Sequence, residues 1–357
     1  MDKGDLEYLE RRLGRLHARQ RLGIERDHEA RVFGGGLNFF HIENWYSAHS
    51  LIRNSLRLAG LYQRGRRNAE RVEVRLNAVC SPKLPRAFDG FTILQISDMH
   101  VEISDGAMNH LVKLLPGLTY DICVLTGDYR AKTFGPFEAT LAGIDRVRSH
   151  ITGPLYGVLG NHDTIQMVRG LETMGIRMLL NESEAITRGD QRIHLAGIDD
   201  AHYHRVDNIE KAASEIPEDA FSILLSHTPE IYRQAAHAGF DLLLSGHTHG
   251  GQICLPGSIP ITLDSVLPRH MGAGPWQYHQ MAGYTSVGVG SCIVPVRFNC
   301  PPTITLHHLA GGLGSIRAVA NSKPIEHLRQ QNLTDHKNND ADKDFGHRQR
   351  QPITAGD

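Results

Sequence analysis

The residues of this 357-residue chain that could do chemistry fall into five short blocks, each at the end of an apolar run. Gly246-His247-Thr248-His249-Gly250-Gly251 follows Leu242, Leu243 and Leu244. An apolar run closed by glycine reads as a buried strand entering a tight turn. Residues i and i+2 of an extended chain point the same way, so His247 and His249 can converge on one point. The runs at 91–96, 122–125, 155–159 and 223–225 end in the same manner. They lead into Ser97-Asp98-Met99-His100, Thr126-Gly127-Asp128-Tyr129, Gly160-Asn161-His162-Asp163 and Ser226-His227.

Carboxylate, imidazole and amide oxygen are ligands of borderline divalent metals, at metal–nitrogen distances of about 2.0–2.1 Å. No cysteine joins the set, which excludes a structural thiolate site. Asp98, His100, Asp128, Asn161, His227, His247 and His249 are too many ligands for one ion and suit two ions sharing a carboxylate. Two ions about 3.5–4 Å apart are the arrangement for in-line phosphoryl displacement.

Something must bring the five blocks together. Strand-like runs alternate with helical patterns around Met108, Leu111, Leu114 and Leu115, over 137–147, and over 165–174. That alternation predicts an α/β fold, in which sites form where the carboxyl ends of strands converge on one rim. Val72, Val74 and Leu76 alternate with charged residues as a half-buried strand, and further strands are expected at 177–180, 193–198, 284–289 and 303–307.

Ahead of these lie two helical segments. Residues 1–32 are charged, with Leu6, Leu9, Leu13 and Leu16 as a narrow stripe suited to a partner helix, a coiled coil or docking on the main domain. Residues 33–70 hold a second amphipathic pattern from Ile42 to Tyr62, with Trp45, Ile52, Leu56 and Ala59 on one face, widened by Leu51, Leu58 and Leu61. Between Ser50 and Arg71, Arg53, Arg57, Arg64, Arg66, Arg67 and Arg71 stand against one Glu. Such a pattern belongs either to an interfacial helix on an anionic membrane or to a helix whose apolar face packs on its neighbour. Residues 311–357 are polar and expected to be a disordered tail.

The bulk composition restricts the classes further. A net charge of −1 gives no field that would favour nucleic acid. Five cysteines without Cys-x-x-Cys spacing fit reduced thiols, the absence of a long apolar run excludes a spanning helix, and the charged N-terminus is unlike a signal peptide. These features place the expected location in the cytoplasm.

Asp-x-His, Gly-Asp, Gly-Asn-His-Asp, a His after a strand and Gly-His-x-His occur here in order, and in this the chain resembles the calcineurin-like metallophosphoesterases over about residues 71–310. It looks most like the YkuE-type branch related to the UDP-diacylglucosamine pyrophosphatases, through Ile96-Ser97-Asp98-Met99-His100, Gly250-Gly251-Gln252-Ile253 and Val294-Pro295-Val296-Arg297-Phe298-Asn299. The resemblance implies a four-layer sandwich, two mixed β-sheets flanked by helices, behind an N-terminal helical extension. It implies one metal on Asp98, His100 and His249, another on Asn161, His227 and His247, and Asp128 bridging both. Two divalent ions (Mn2+, Fe2+ or Zn2+) would activate a hydroxide, with His162 over the scissile phosphate.

Asp163 is placed either to orient His162 or to cap the following helix. Arg130 is placed to meet a substrate phosphate or to form a surface ion pair. His202 and His204 repeat the His-x-His spacing without a preceding strand and read as surface or substrate-rim residues, and turn chemistry accounts for Asp199 and Asp200. The branch resemblance and the basic segment together imply a lipid-linked phosphoester or pyrophosphate substrate, such as UDP-diacylglucosamine, met on the inner face of the membrane. The alternative is a soluble phosphodiesterase or phosphatase acting on nucleotides or phosphoproteins. A scaffold with a degenerate site would lack ligands, and none is missing.

Overall fold

Two mixed sheets, packed face to face, carry the site along one common rim. The computed structural model describes residues 3–33, 46–312 and 317–321. Two helices open the chain, α1 (Lys3–Leu13) and α2 (Arg15–Phe33), and two more follow, α3 (Tyr46–Leu58) and α4 (Tyr62–Ala69). Then come β1 (Glu73–Ser81), β2 (Thr92–Ile96), α5 (Asp105–Leu114), β3 (Ile122–Thr126), α6 (Glu138–Arg148), β4 (Leu155–Val158), α7 (Val168–Thr173) and β5 (Arg177–Met178). The second half supplies β6 (Glu182–Arg188), β7 (Gln191–Gly197), α8 (Ile209–Ala213), β8 (Ser222–Leu225), α9 (Tyr232–His237) and β9 (Leu242–Ser245). After a small β10 (Cys254–Leu255) and β11 (Ile259–Pro260) hairpin, the chain adds β12 (Gly274–Tyr278), β13 (Met281–Thr285), β14 (Thr303–Gly311) and β15 (Arg317–Asn321).

The first large sheet runs β15-β1-β14-β2-β3-β4-β5 and the second β12-β13-β9-β8-β7-β6. Within them β2, β3, β4 and β5 are parallel, as are β7, β8, β9 and β13. Their period-two alternation divides the side chains between layers. Ile93, Ile122 and Val124 face Ile223, Leu242 and Leu244 across the gap between the sheets. Leu94, Ile96, Cys123 and Leu125 turn the other way, against Met108 and Leu111 of α5 and Ile144 and Val147 of α6. Ala196, Leu224 and Leu243 pack on the far side against Ala212, Tyr232 and Ala235 of α8 and α9. The result is the expected four-layer architecture: helices, sheet, sheet, helices.

A buried polar relay threads the inter-sheet core beneath the site. Gln95 Nε2 donates to Thr126 Oγ1 and to the Ser245 carbonyl, at 3.0 and 2.9 Å, so one side chain joins β2, β3 and β9. Its Oε1 meets His307 Nε2 at 3.0 Å, and His307 Nδ1 meets Asn77 at 3.0 Å. Buried polar groups that are mutually satisfied fix one relative placement of the layers, which apolar packing alone would leave freer.

The N-terminal stripe is broken by a turn at Gly14. Leu9, Leu13 and Leu22 are buried in the helical-side core, whereas Leu16 is 80% exposed, so the four-leucine stripe is not one face. Of the three readings of residues 1–32, docking on the main domain is the one seen: Arg12 spans Glu172, Glu182 and the Met178 carbonyl. In the second segment Leu51, Leu58 and Leu61 are exposed, and the docked positions are Gly65 and Ala69 of α4. Ile42 and Trp45 of that pattern lie outside the described residues. The tail expected over 311–357 contains an edge strand, β15, antiparallel to β1; the rest of that expectation lies outside the described residues.

If α1 is integral to the core, Leu9→Ala should destabilise the protein by about 2–5 kcal/mol, while Leu16→Ala should stay within about 0.5 kcal/mol. Chemical denaturation midpoints of the two variants check this. Equal midpoints would mean that α1 is not part of the cooperative core.

Candidate metal centre

Parallel strands bring their carboxyl ends to one rim, and that rim gathers every residue singled out by the five blocks. Asp98 and His100 follow β2, Asp128 follows β3, Asn161 and His162 follow β4, His227 follows β8, and His247 and His249 follow β9. All are buried. The loops are stitched together through the backbone: Asp98 N donates to the Gly127 carbonyl, His100 N to the Asp128 carbonyl, and Gly246 N to the His227 carbonyl.

Two groups of ligand atoms form, Asp98/His100/His249 and Asp128/His227/His247, each with its atoms within 4.8 Å of one another. His100 Nε2 lies 3.1 Å from His249 Nε2, and His227 Nε2 lies 2.9 Å from Asn161 Oδ1 and 3.3 Å from His247 Nδ1. Separations near 3 Å between donor atoms match the edges of a coordination polyhedron with bonds of about 2.1 Å. Asp128 Oδ2 reaches both groups, 3.2 Å from His227 Nε2 and 3.7 Å from His100 Nε2, while its Oδ1 accepts from the His162 backbone N–H at 3.0 Å.

The ring orientations fit metal binding too. His100 Nδ1 and His227 Nδ1 each lie 2.8 Å from a backbone carbonyl, of Arg130 and Thr126 respectively. A carbonyl accepts from the Nδ1–H, which turns Nε2 toward the centre, as a lone pair on the neutral ring. Burial pushes His100 down to about 4, and burial with His100 and Arg297 nearby holds His249 well below the ordinary range. Both are therefore neutral imidazoles at neutral pH, the form that ligates. Burial would raise Asp128, but His227, His162 and His100 outweigh it and hold the carboxyl well below its usual range. Burial with Asp128 alongside pushes Asp98 up to about 6. His227 moves the other way: Asp128 overrides the effect of burial and lifts it to about 10. In the protein's own field a proton on His227 therefore balances Asp128, at the place a cation would occupy.

Asp163 faces the backbone of two loops. Its two oxygens accept from four backbone N–H groups, those of Asp128, Tyr129, Arg130 and Gly160, at 2.8–3.3 Å. The carboxylate therefore clamps the β3 and β4 loops together, and Thr164 caps the following turn. What holds the His162 ring is Thr133, with Oγ1 2.9 Å from Nδ1. Arg130 Nη2 donates to the carbonyls of Gly135 and Pro136, fastening the loop beyond β3, and the residue lines the cavity that this loop forms with α2.

The His202/His204 pair also divides. His204 is buried on Asp200 at 2.8 Å rather than at the surface. His202 does stand at the rim, its ring centroid 4.4 Å from that of His247 and its Nδ1 2.8 Å from Glu230. Asp200 performs the expected turn chemistry on the amides of His202, Tyr203 and His204, but it and Asp199 also face the buried Arg21 at 3.8 and 3.6 Å.

Two further arginines, which no motif marks as site residues, support the site. Arg297, fully buried, donates to the carbonyls of Val287, Gly290 and Cys300 and so holds the loop beyond β13 against the His249 turn. Arg21 donates to the Asp163 carbonyl at 2.7 Å and pairs with Glu25, whose carboxylate accepts from Ile165 N at 2.8 Å. The signal for Arg297 was a lone charge inside Val-Pro-Val-Arg-Phe; Arg21 carried none.

Comparison with known proteins agrees with this geometry. The calcineurin-like phosphoesterase family pattern matches residues 91–251. The metallophosphoesterase YkoQ of Bacillus subtilis is 31% identical over 230 residues, covering 61% of this chain and 83% of that protein. A Bos taurus transmembrane protein with metallophosphoesterase domain is 30% identical over 246 residues, covering 62% and 54%. The phosphodiesterase YaeI of Escherichia coli is 25% identical over 232 residues, covering 61% and 82%.

Asp128→Asn tests the bridge. A neutral amide oxygen cannot balance two dications, so the variant should lose at least one ion per chain by elemental analysis, and phosphodiester hydrolysis with it. Near-normal turnover with both ions retained would remove Asp128 from the bridging position.

Proposed function

The chain belongs to the calcineurin-like phosphoesterase family and is a phosphoric ester hydrolase, and from that premise we propose how its residues divide the work. Asp98, His100 and His249 hold one divalent ion, Asn161, His227 and His247 the other, and Asp128 spans both. The observation that carries this reading is the position of Asp128 Oδ2, within 3.7 Å of a histidine from each group. Manganese, iron and zinc all suit a set of imidazole, carboxylate and amide oxygen. Such a pair of ions supplies positive charge for the phosphoryl oxygens and a water activated at neutral pH.

The chain's own residues do the rest. His162 is the proton donor to the leaving oxygen. Its Nδ1 lies 2.9 Å from Thr133 Oγ1 and its Nε2 lies 3.9 Å from Asp128 Oδ2, so the Nε2 edge of the ring is turned toward the bridging carboxylate. The His162 backbone N–H also holds Asp128 Oδ1, which couples the placement of the acid to that of the bridge. Asp163, Arg297 and Arg21 act by keeping the loops in register.

For the substrate, we favour a phosphoester or diphosphate with an apolar body, of the UDP-diacylglucosamine type, met at an anionic membrane surface on the cytoplasmic side. The support is the surface of α3 and α4: Leu51, Leu58 and Leu61 exposed beside Arg57, Arg64, Arg66, Arg67 and Arg71. Among the described residues no helix is long and apolar enough to cross a membrane, so the contact would be interfacial. The bovine relative is by name a transmembrane protein, which places one member of the family at a bilayer. The second reading, a soluble phosphodiester, is favoured by the name of the E. coli relative.

Removal of the acid should separate chemistry from metal binding. His162→Ala should lower kcat by about a hundred- to ten-thousand-fold with metal content unchanged, read by steady-state kinetics beside elemental analysis. Loss of an ion in that variant would make His162 a ligand instead.

Membrane contact is read separately. Wild-type protein should co-sediment with vesicles containing phosphatidylglycerol and be released by salt, and the Arg64, Arg66 and Arg67→Gln variant should bind less, since each Arg contributes about 1 kcal/mol at most near an anionic surface. Binding that ignores both salt and headgroup charge would leave α3 and α4 without an electrostatic role.

A further inference from the structure

The segment that leaves the metal loop turns apolar side chains to solvent. Beyond the His249–Gly251 turn, β10 and β11 form a two-stranded hairpin outside both large sheets. Leu255, Ile259 and Ile261 are each more than half exposed, at 52, 53 and 54%, and Val266 is 90% exposed. Contiguous exposed apolar groups at the mouth of a polar site mark a contact surface.

Both ends of this segment are tied to the metal centre. A Cβ placed on Gly251 would stand 2.5 Å from Pro260 Cβ and 2.7 Å from the Thr262 carbonyl, so β11 lies directly on the metal loop. At the far end Ser265 Oγ and Val266 N donate to Glu230 Oε1, at 3.0 and 2.7 Å. The other oxygen of Glu230 holds His202, whose ring packs at a tilt against that of His247, 4.4 Å between centroids. The segment is therefore a lip with both ends fixed beside the metal loop, and its apolar side chains are turned to solvent.

The lip also adjoins the arginine-bearing helices. Cys254 N donates to the Phe298 carbonyl, and Asn68 of α4 donates to the neighbouring Arg297 carbonyl. Gly65 of α4 sits on Val296 and Phe298 so closely that a Cβ there would come within 2.8 Å of either side chain. One short stretch of chain thus carries the apolar lip on one flank and the basic α4 on the other. Within 254–270 Asp264 is the one acid, followed by Arg269 and His270. Exposed apolar groups beside a cluster of arginines complement the two properties that an anionic bilayer presents together, acyl chains and charged headgroups.

We infer that residues 255–266 form a membrane-entering lip, whose apolar side chains sink into the headgroup–acyl boundary of an anionic bilayer. A phosphate carried by a lipid then meets the metal rim while its acyl chains stay in the membrane. The inference rests on the lipid reading of the function and adds to it the element that brings the site to headgroup depth.

The test compares two substrates on the full-length, metal-loaded protein. One is UDP-diacylglucosamine in vesicles of phosphatidylcholine with phosphatidylglycerol; the other is soluble bis(p-nitrophenyl) phosphate. The Ile259→Asp/Ile261→Asp variant should lose about tenfold or more on the vesicle substrate, because two apolar side chains no longer enter the boundary, and stay within about twofold on the soluble one. The single Ile261→Ser change, milder for folding, should shift the same ratio in the same direction. Equal losses on both substrates would show a disturbed metal loop and overturn the lip. Vesicle turnover unaffected by either variant would overturn the lip alone and leave the face to a protein partner. Wild-type protein that hydrolyses the soluble ester but neither binds nor hydrolyses on vesicles would overturn the lipid reading and the lip together.

Discussion

The site depends on how closely the strand-end loops approach one another. A Cβ on Gly160 would lie 2.1 Å from Asp128 Oδ1, and one on Gly246 would lie 2.0 Å from Ser97 Oγ and 2.4 Å from Asp98 Oδ2. Backbone of one loop therefore occupies the space where a side chain would stand, and the carboxylate of the next loop is held against it. The same crowding appears in the dihedrals. Asp98, His100, Asp128, His247 and His249 all have positive φ, between 39 and 73°. Left-handed backbone at non-glycine residues costs on the order of 1–3 kcal/mol each and persists where the surroundings over-determine it. Five such residues at one rim mean that the surrounding framework holds the ligand atoms where relaxed loops would not.

That framework is largely polar and largely buried. Asp163 ties the β3 and β4 loops by their amides, Arg297 ties the loop beyond β13 to the His249 turn by its carbonyls, and Gln95 links β2, β3 and β9 underneath. The Asp163 and Arg297 clamps act on backbone groups, whereas Gln95 reaches β3 through the Thr126 hydroxyl and β9 through the Ser245 carbonyl. Arg21 and Glu25 extend the scheme to α2, where they grip the stretch from Asp163 to Ile165 just after Asn161 and His162. The N-terminal helices thus contribute to the geometry of the metal rim while lying outside the two sheets.

Much of this was legible in the sequence, for a physical reason. Each ligand sits directly after an apolar run, so strand, turn and chemistry are read together within about six residues. The four layers came from the family resemblance, because the runs name buried strands but not how two sheets stack. The clamps were not legible, because their partners are remote: Asp163 meets amides 33–35 residues away and Arg21 meets a carbonyl 142 residues away. Periodicity also misplaced Leu16, since a break at Gly14 rotates everything after it, and His204, which a buried Asp200 draws inward. β6, β12 and the hairpin escaped for a related reason: they are short or half-exposed and lack a continuous apolar run.

The reaction class and the substrate stand on different kinds of information. Cleaving a phosphoester requires a small set of atoms in a fixed arrangement, and five local blocks encode it. Choosing the ester requires a surface, and the surface around this rim is assembled from distant parts of the chain: α2 and the 130–137 loop beside Thr133, the helices α3 and α4, and the exposed segment after the metal loop. The loop wall includes Phe134 and Phe137, and with Leu22, Arg26 and Glu29 of α2 it encloses a cavity of about 320 Å³ next to Thr133, the residue that fixes the proton donor. The cavity lies on the His162 side and the exposed lip on the His247 side, so the two walls of the mouth differ in character.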